Sequence, residues 1–446
     1  MGVSEVAPAR RQEWLGQPKG LTILFLTEMW DQFSFFGMRA LLVLYMTKHL
    51  AMSQRDASWI YGGYAATVYL TPIFGGIITD RWLSRRSAVL TGGLIMAAGH
   101  FMMASEHLLL PALATIAIGN GLFLPSLPSQ IDSLYAPDDP RRKSAYNIYY
   151  VGINLGAFAA PLVIGTIGEI FGFHWGFAAA GLGMLIAMGT YVAGGAYLPP
   201  EPGRKVRANR DAHAARDDSE GREPLSRAEF AQRAVLLTAI AATVVVFRGA
   251  YEQLGNTIAL WADQSVDRSV TASFTIPVTW FQSLNPMLVF LLTPVLVARW
   301  TRLAERQREP SSVTKMSIGA VVVALSYCMI GVAAFWAQHP GTLLSWWWLA
   351  AFITLMTLGE LYILPVGLGL FGRLAPRGFT ATTIALWFFA GFFGNLFAGW
   401  VGTLWSPLSH GAFFSIVAGI ALAAAALLWA LIPRANRVAA ETSAAV

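Results

Sequence analysis

Twelve long apolar stretches, separated by short polar loops, constrain the fold of this chain more than any other feature. Each has room for the roughly 20 residues that a helix needs to cross the hydrocarbon of a bilayer. Composition agrees, since 55% of the 446 residues are apolar and only 13% are charged, about half the charged share of soluble domains. The approximate cores are residues 21–46, 58–79, 87–105, 109–134, 145–168, 173–197, 234–262, 276–298, 314–336, 346–372, 380–404 and 411–433. We therefore expect an all-α membrane protein with 12 transmembrane helices.

Lysine and arginine lie mainly in the loops on one side of the predicted membrane. The opposite loops hold few, chiefly Lys48, Arg55 and Arg268. Because basic loops stay in the cytoplasm, both termini are expected there, which agrees with an even number of spans. This topology explains the net charge of +6 better than nucleic-acid binding does. Compact loops and Ala/Arg/Gly-rich usage lead us to expect a bacterial inner membrane.

A charged stretch divides the chain into halves. Residues 198–233 are rich in both charge signs and contain no apolar run, which is typical of a solvated linker. The predicted organisation is a cytoplasmic N-terminus (1–20), a six-helix bundle (21–197), the linker (198–233), a second six-helix bundle (234–433) and a cytoplasmic tail (434–446). Two such bundles joined by a polar linker are the layout of transporters that rock about a central site.

Charged residues inside the first apolar run point to transport. Glu28, Asp31 and Arg39 lie in LTILFLTEMWDQFSFFGMRALLVLYM, where an ionised group costs at least a few kcal/mol. Such residues usually face a wet cavity and mark the path of an ion or substrate. Glu28 and Asp31 are three residues apart, on one helix face. Two close carboxylates cannot both ionise cheaply, so one can hold a proton.

Enzymatic motifs are missing from the sequence. The seven histidines form no HExxH motif, and the single cysteine, Cys328, pairs with no other cysteine in the chain. A phosphate-binding GxxxxGK[ST] loop is also missing. We therefore expect neither an enzyme nor a metal or other cofactor, and transport powered by an ion gradient rather than by ATP.

Five stretches carry a resemblance to a known family or superfamily. The loop GGIITDRWLSRR, with Asp80 and Arg81, resembles the loop signature of the major facilitator superfamily, where such residues gate the bundles. The run from Gly119 to Gly165 resembles the signature of the proton-dependent oligopeptide transporter family, a branch of that superfamily. EMWDQFSFFGMRA resembles that family's first helix, usually written E-x-x-E-R-F-x-Y-Y-G. FRGAYEQLGNTIAL and GELYILPVGLGLFGRLAP resemble its seventh and tenth helices.

The resemblance implies the major facilitator fold and proton-coupled import of di- and tripeptides or peptide-like molecules by alternating access. It also implies roles for individual residues. Glu360 would receive the peptide's amine, Arg39 and Glu252 would pair at the outer gate, and the pocket would include Asn154, Asn285, Tyr69 and Trp387. Helix–helix hydrogen bonding remains an alternative for the asparagines, core packing for Tyr69 and Trp387, and a neutral, hydrogen-bonded acid for Glu360. The expected partners are substrate, protons and lipid, and the expected state is a monomer.

Departures from the family pattern leave the substrate open. The family's second glutamate is Asp31 here, its arginine is Gln32, its paired pocket tyrosines are Phe35 and Phe36, and its fourth-helix lysine is Leu124. Losing those two cations removes charge-assisted donors that the family uses for the peptide carboxylate and for proton coupling. A divergent carrier of a non-peptide molecule, with altered or absent proton coupling, is the main alternative, and a non-transporting sensor is a further one.

Arg248 stands where the family usually has tryptophan, four residues before Glu252 and within ion-pair reach on one helix face. Two interpretations remain open at this stage. Arg248 takes over recognition of an anion, or it neutralises Glu252 or extends to an interface. Proton coupling likewise rests either on Glu28 and Asp31 or on Glu252, and uncoupled facilitation is a third possibility.

Overall fold

The computed structural model describes residues 13–14, 16–136, 139–199, 226–337, 342–376 and 379–444. Most of the predicted linker, residues 200–225, therefore lies outside the described residues, as do residues 1–12 and 445–446. Within the described ranges the α-helices are α1 Lys19–Leu44, α2 Gln54–Arg81, α3 Arg85–Met102, α4 Leu109–Ser126, α5 Arg142–Ala160, α6 Thr166–Phe171, α7 Phe173–Ala193, α8 Arg227–Tyr251, α9 Thr257–Ser265, α10 Trp280–Glu305, α11 Ser312–Trp336, α12 Trp346–Leu374, α13 Thr380–Gly402 and α14 His410–Ala444.

Helical structure lies at each of the twelve predicted cores. A widened turn, Pro161–Gly165, joins α5 to α6, and a tight turn, Glu252–Gly255, follows α8 just before α9, so each pair fills one core. Among the described residues, nine helical segments are long and apolar enough to cross a membrane by length and composition alone. They begin with the segment Glu106–Leu134, so α1, α2 and α3 fall outside that count. Glu28 and Asp31, in α1, are two of the residues that make it less apolar.

Short strands occupy connections that the hydropathy pattern treats as loops. They are β1 Glu13–Trp14, β2 Gln17–Pro18, β3 Val266–Asp267, β4 Ser269–Thr271, β5 Phe274–Thr275 and β6 Leu344–Ser345. β1 pairs with β2 and β4 with β5, both antiparallel, whereas β3 and β6 pair in parallel. Pairing of two or three residues satisfies backbone groups where the chain leaves a helix.

Contacts divide the chain into two compact units. The first unit comprises residues 1–41 and 71–202. In its core, Leu24, Met96, Phe123 and Met184 are fully buried. Gly92 and Gly119 let α3 and α4 approach closely, since a Cβ on Gly92 would lie 2.6 Å from the Gly119 carbonyl oxygen. Small residues at such crossings are typical of helix packing in membranes.

The second unit comprises residues 42–70 and 203–446. α11 packs against α12 and α14, and α8 packs against α13. Gly62 of α2 lies against Gly399 of α13, because a Cβ on Gly62 would come within 2.5 Å of the Gly399 Cα. Residues 42–70 thus group with the second half of the sequence, whereas the predicted bundles divide at the linker. The six-plus-six division remains a prediction.

α8 begins seven residues before the predicted core. Ser226 caps the helix: its side chain accepts from the Glu229 backbone N–H, and the Glu229 carboxylate accepts in return from the Ser226 N–H. This capping box satisfies two of the backbone donors that a helix start leaves open. The helix therefore extends through a polar turn before it becomes apolar.

Candidate functional site

Glu28 and Asp31 lie together on α1, in the first unit, with Gln32 between their carboxylates. The Gln32 amide donates to Glu28 Oε1 at 2.9 Å and to Asp31 Oδ2 at 3.2 Å. The hydroxyl of Tyr149, on α5, donates to Glu28 Oε2. Helical geometry explains this local arrangement, since residues i, i+3 and i+4 share a face. One neutral amide thus bridges two acids.

Both acids of this cluster are withdrawn from solvent. Glu28 is 1% exposed and Asp31 is 2% exposed. Asp31 Oδ1 is buried and has no hydrogen-bond partner among the described residues. A buried carboxylate without full hydrogen bonding is costly when ionised. The arrangement is therefore suited to holding a proton on one of the two carboxyl groups.

The other predicted residues of the first unit are placed separately. The Asn154 amide donates to the Tyr150 carbonyl of its own helix at 3.0 Å. Phe35 and Phe36 pack edge to face with their ring centres 5.3 Å apart. Arg39 is half-buried on α1, two turns beyond Asp31.

The predicted loop residues Asp80 and Arg81 end α2 and are exposed. This position is consistent with a loop at the membrane surface. Their gating role, like that of the Arg39–Glu252 pair, stays a prediction, because Arg39 and Glu252 belong to different units.

In the second unit, Arg248 and Glu252 form a buried ion pair at the end of α8. Nη1 of Arg248 donates to Glu252 Oε1 at 2.6 Å, and the two side chains are 4% and 5% exposed. The same Nη1 donates to the Tyr69 hydroxyl at 3.2 Å. The Arg248 guanidinium carbon also lies 4.8 Å from the centre of the Tyr69 ring, within the range of cation–π attraction. Two of the predicted pocket residues, Tyr69 and Arg248, are therefore in direct contact.

Glu360 lies next to this ion pair in the same unit. The Asn285 amide donates to Glu360 Oε2 at 2.6 Å and to the Thr357 hydroxyl at 2.9 Å. The Tyr251 hydroxyl also hydrogen-bonds Glu360, which interacts electrostatically with Arg248. Asn285 of α10 thus makes helix–helix hydrogen bonds to α12, one of them to Glu360, and its role toward substrate stays a prediction. Two polar donors thus hold the Glu360 side chain, and its role as a carboxylate that accepts an amine, or as a neutral acid, stays a prediction.

Trp387 packs into the interior of the second unit. Its ring centre lies 5.1 Å from that of Phe371, and it is 7% exposed. Gly367 of α12 faces the indole, leaving it room beside the helix. The structure thus gives Trp387 the packing role that the sequence left open, and its role toward substrate stays a prediction.

Sequence reasoning missed three polar groups that complete these clusters. Tyr149 and Tyr251 donate to Glu28 and Glu360, and Thr357 accepts from the Asn285 amide. Tyr251 stands directly before Glu252 in FRGAYEQ, and Tyr149 lies within the family-like stretch ending at Gly165. A tyrosine in an apolar helix needs a hydrogen-bond partner when buried, and this is the signal that identifies them.

The fold and these clusters define an integral membrane protein with the major facilitator type of transporter fold. The sequence profile of the POT family matches residues 86–210 and 226–429, and the chain belongs to that family. A peptide transporter of Yersinia enterocolitica is 32% identical, with 87% of this chain and 88% of the relative covered. A di-/tripeptide transporter of Lactococcus lactis subsp. cremoris is 31% identical, with 84% and 87% covered. A solved peptide transporter POT in complex with sulfate has a TM-score of 0.85 at 30% identity, with 96% and 97% covered.

Proposed function

We propose that this chain is a proton-coupled importer of di- and tripeptides or peptide-like small molecules, working by alternating access. It is a transporter rather than an enzyme, is driven by the inward proton gradient and uses no bound cofactor. We place it in a bacterial inner membrane as a monomer with both termini in the cytoplasm. Two relatives, covered to 88% and 87% of their length, are named as a peptide transporter and a di-/tripeptide transporter, which supports this proposal.

The observation that carries the proposal is the hydrogen-bonded Glu360 in the second unit. A carboxylate in a membrane span is expensive, and here Asn285 and Tyr251 hold its side chain in a fixed position. Such a group suits the ammonium end of a peptide, which supplies the opposite charge and further donors. The remaining substrate contacts are proposed to come from Asn154, Tyr69, Arg39, Arg248, Trp387, Phe35 and Phe36.

Proton coupling is proposed to use the acid cluster of the first unit. Glu28 and Asp31 share one amide donor from Gln32, and a single proton relieves the repulsion between two buried carboxylates. Glu252 is the alternative coupling group, and Arg39, Glu252, Asp80 and Arg81 are the proposed gating residues.

A second candidate function is transport of a non-peptide molecule with altered or absent proton coupling. The specific observation that favours it is the neutral bridge at Gln32, where the family pattern has an arginine. An amide donates hydrogen bonds to the two acids but supplies no positive charge. Unlike an arginine, Gln32 therefore neither attracts a substrate carboxylate by charge nor stabilises the ionised form of Glu28 and Asp31 by charge.

A substrate panel in proteoliposomes tests the proposal. Purified protein is reconstituted, and uptake of di- and tripeptides, of the same peptides with amidated C-termini and of single amino acids is measured with and without an inward pH gradient. Gradient-dependent accumulation of peptides is the expected result. Accumulation of none of the peptides under either condition would refute peptide import, and equal uptake with and without the gradient would favour facilitation.

A further inference from the structure

The second unit contains a buried cation with unused hydrogen-bond donors. Among its described residues the buried basic side chains are Arg248 and Lys315. Lys315 donates to Glu309 and lies 4.3 Å from the centre of the Trp300 ring. Arg248 makes its hydrogen bonds through Nη1, whereas Nε is buried without a partner, and Nη2 makes no hydrogen bond within the described part of the chain. Buried donors are normally satisfied, so this edge of the guanidinium calls for an acceptor.

The position of that edge is fixed by its surroundings. Glu252 and Tyr69 hold Nη1. Gly394 of α13 lies against the aliphatic part of the side chain, since a Cβ there would come within 2.6 Å of the Arg248 Cβ and 2.7 Å of its Cδ. The Nε and Nη2 donors of arginine point in parallel and match the two oxygens of a carboxylate or phosphonate. A fixed edge of this kind loses little entropy on binding an anion.

A group of opposite sign lies nearby in the same unit. Tyr251, which precedes Glu252 in sequence, hydrogen-bonds Glu360, and Glu360 and Arg248 interact electrostatically. One unit thus contains both a cationic edge and an acceptor for an amine. In the first unit, by contrast, Gln32 stands where the family pattern has an arginine, and its amide already donates to both Glu28 and Asp31.

We propose that Arg248 binds the anionic group of the substrate through its Nε–Nη2 edge while Glu360 binds the amine, so that residues of the second unit bind both charged groups of the substrate. The inference rests on the proposed function and deepens it. Its substrate class is a zwitterion with a free amine and a free carboxylate or phosphonate. Glu252 acts as a positioning residue, since it orients the guanidinium without touching the substrate.

The test compares two probes, dialanine and dialanine amide, in equilibrium binding to the full-length protein in detergent. For the wild type we expect the amide to bind about 10- to 100-fold more weakly, because it lacks a doubly hydrogen-bonded charged group. In Arg248→Gln the affinity for dialanine should fall to that for the amide, so that the ratio approaches one. Arg248→Lys, which keeps the charge but not the paired donors, should give an intermediate ratio. Arg302→Gln, at an exposed arginine of α10, is the matched control and should keep the wild-type ratio.

Three results would overturn the inference. The first is equal affinity of the wild type for dialanine and dialanine amide, and the second is a wild-type affinity ratio in Arg248→Gln. The third is loss of dialanine amide binding in the variants, since the amide does not need the Arg248 edge. If Arg248→Gln alone fails to fold, the ratio is measured in Arg248→Gln/Glu252→Gln, which removes both charges of the ion pair. There too a ratio near one supports the inference, and a wild-type ratio or loss of amide binding overturns it.

Uptake separates this inference from the proposed function. If the dialanine-to-amide affinity ratios are as expected but peptides do not accumulate with the gradient, proton-coupled import is overturned and the role of Arg248 is supported. If peptides accumulate with the gradient but the affinity ratio is the same in Arg248→Gln as in the wild type, the role of Arg248 is overturned and proton-coupled import is supported.

Discussion

Removing one member of the Arg248–Glu252 pair should destabilise the protein far more than removing both. The two side chains are 4% and 5% exposed and 2.6 Å apart, so Glu252→Gln takes away the carboxylate that is hydrogen-bonded to a buried guanidinium. Breaking a buried pair in this way costs about 3–5 kcal/mol of unfolding free energy. Replacing both members leaves no single charge of the pair uncompensated, so Arg248→Gln/Glu252→Gln should lie within about 1–2 kcal/mol of the wild type.

The assay is unfolding in mixed micelles with a rising fraction of SDS, followed by tryptophan fluorescence and analysed as a double-mutant cycle. Lys48 and Asp263 provide the control, because their atoms are 2.8 Å apart while Lys48 is 51% exposed. Lys48→Gln should therefore change the unfolding free energy by about 0–1 kcal/mol. A Glu252→Gln variant no less stable than Lys48→Gln, or a double variant no more stable than either single one, would refute the reasoning.

Three more predictions concern the first unit. Gly75→Ala should destabilise the protein by about 1–3 kcal/mol, because the added Cβ would clash with the Gly121 backbone. Gly76→Ala is the control and should not destabilise it, because the nearest atom to its added Cβ is 4.0 Å away. Thermal unfolding in detergent compares the two variants, and equal melting temperatures would contradict the prediction. Gln32→Leu removes the amide shared by the two acids and should lower gradient-driven uptake more than gradient-free uptake; an unchanged ratio of the two counts against the cluster. Tyr149→Phe leaves a carboxylate oxygen of Glu28 without its donor and should lower the unfolding free energy by about 1–3 kcal/mol. SDS unfolding measures this change, and an unchanged unfolding free energy would contradict the prediction.

Hydropathy predicts where the helices are because lipid forces backbone groups to bond within the helix. It does not predict where the helices end. α2 begins at Gln54, whereas the predicted core begins at 58, because the first turn of the helix is polar and hydropathy does not count it. α14 continues to Ala444 although the apolar run stops near Pro433. The Ser226–Glu229 capping box is readable in the sequence, yet an apolar-run criterion ignores it.

The candidate site is predictable where it depends on helical spacing. Residues four apart on one helix share a face, so contact between Arg248 and Glu252 follows from the sequence. Contacts between helices do not follow, since they depend on how the helices pack. The Tyr69–Arg248 contact and the Asn285–Glu360 bond are of this kind. Similarly, the sequence shows that Gln32 is neutral but not that its amide reaches both neighbouring acids.

The Arg248–Glu252 ion pair lies within a single helical turn, so both of its ends travel together whenever the helix moves. A contact formed equally in two states contributes nothing to the balance between them. The ion pair by itself therefore favours access from neither face of the membrane, and the gating proposed for Glu252 depends on the pairing predicted with Arg39 rather than on Arg248.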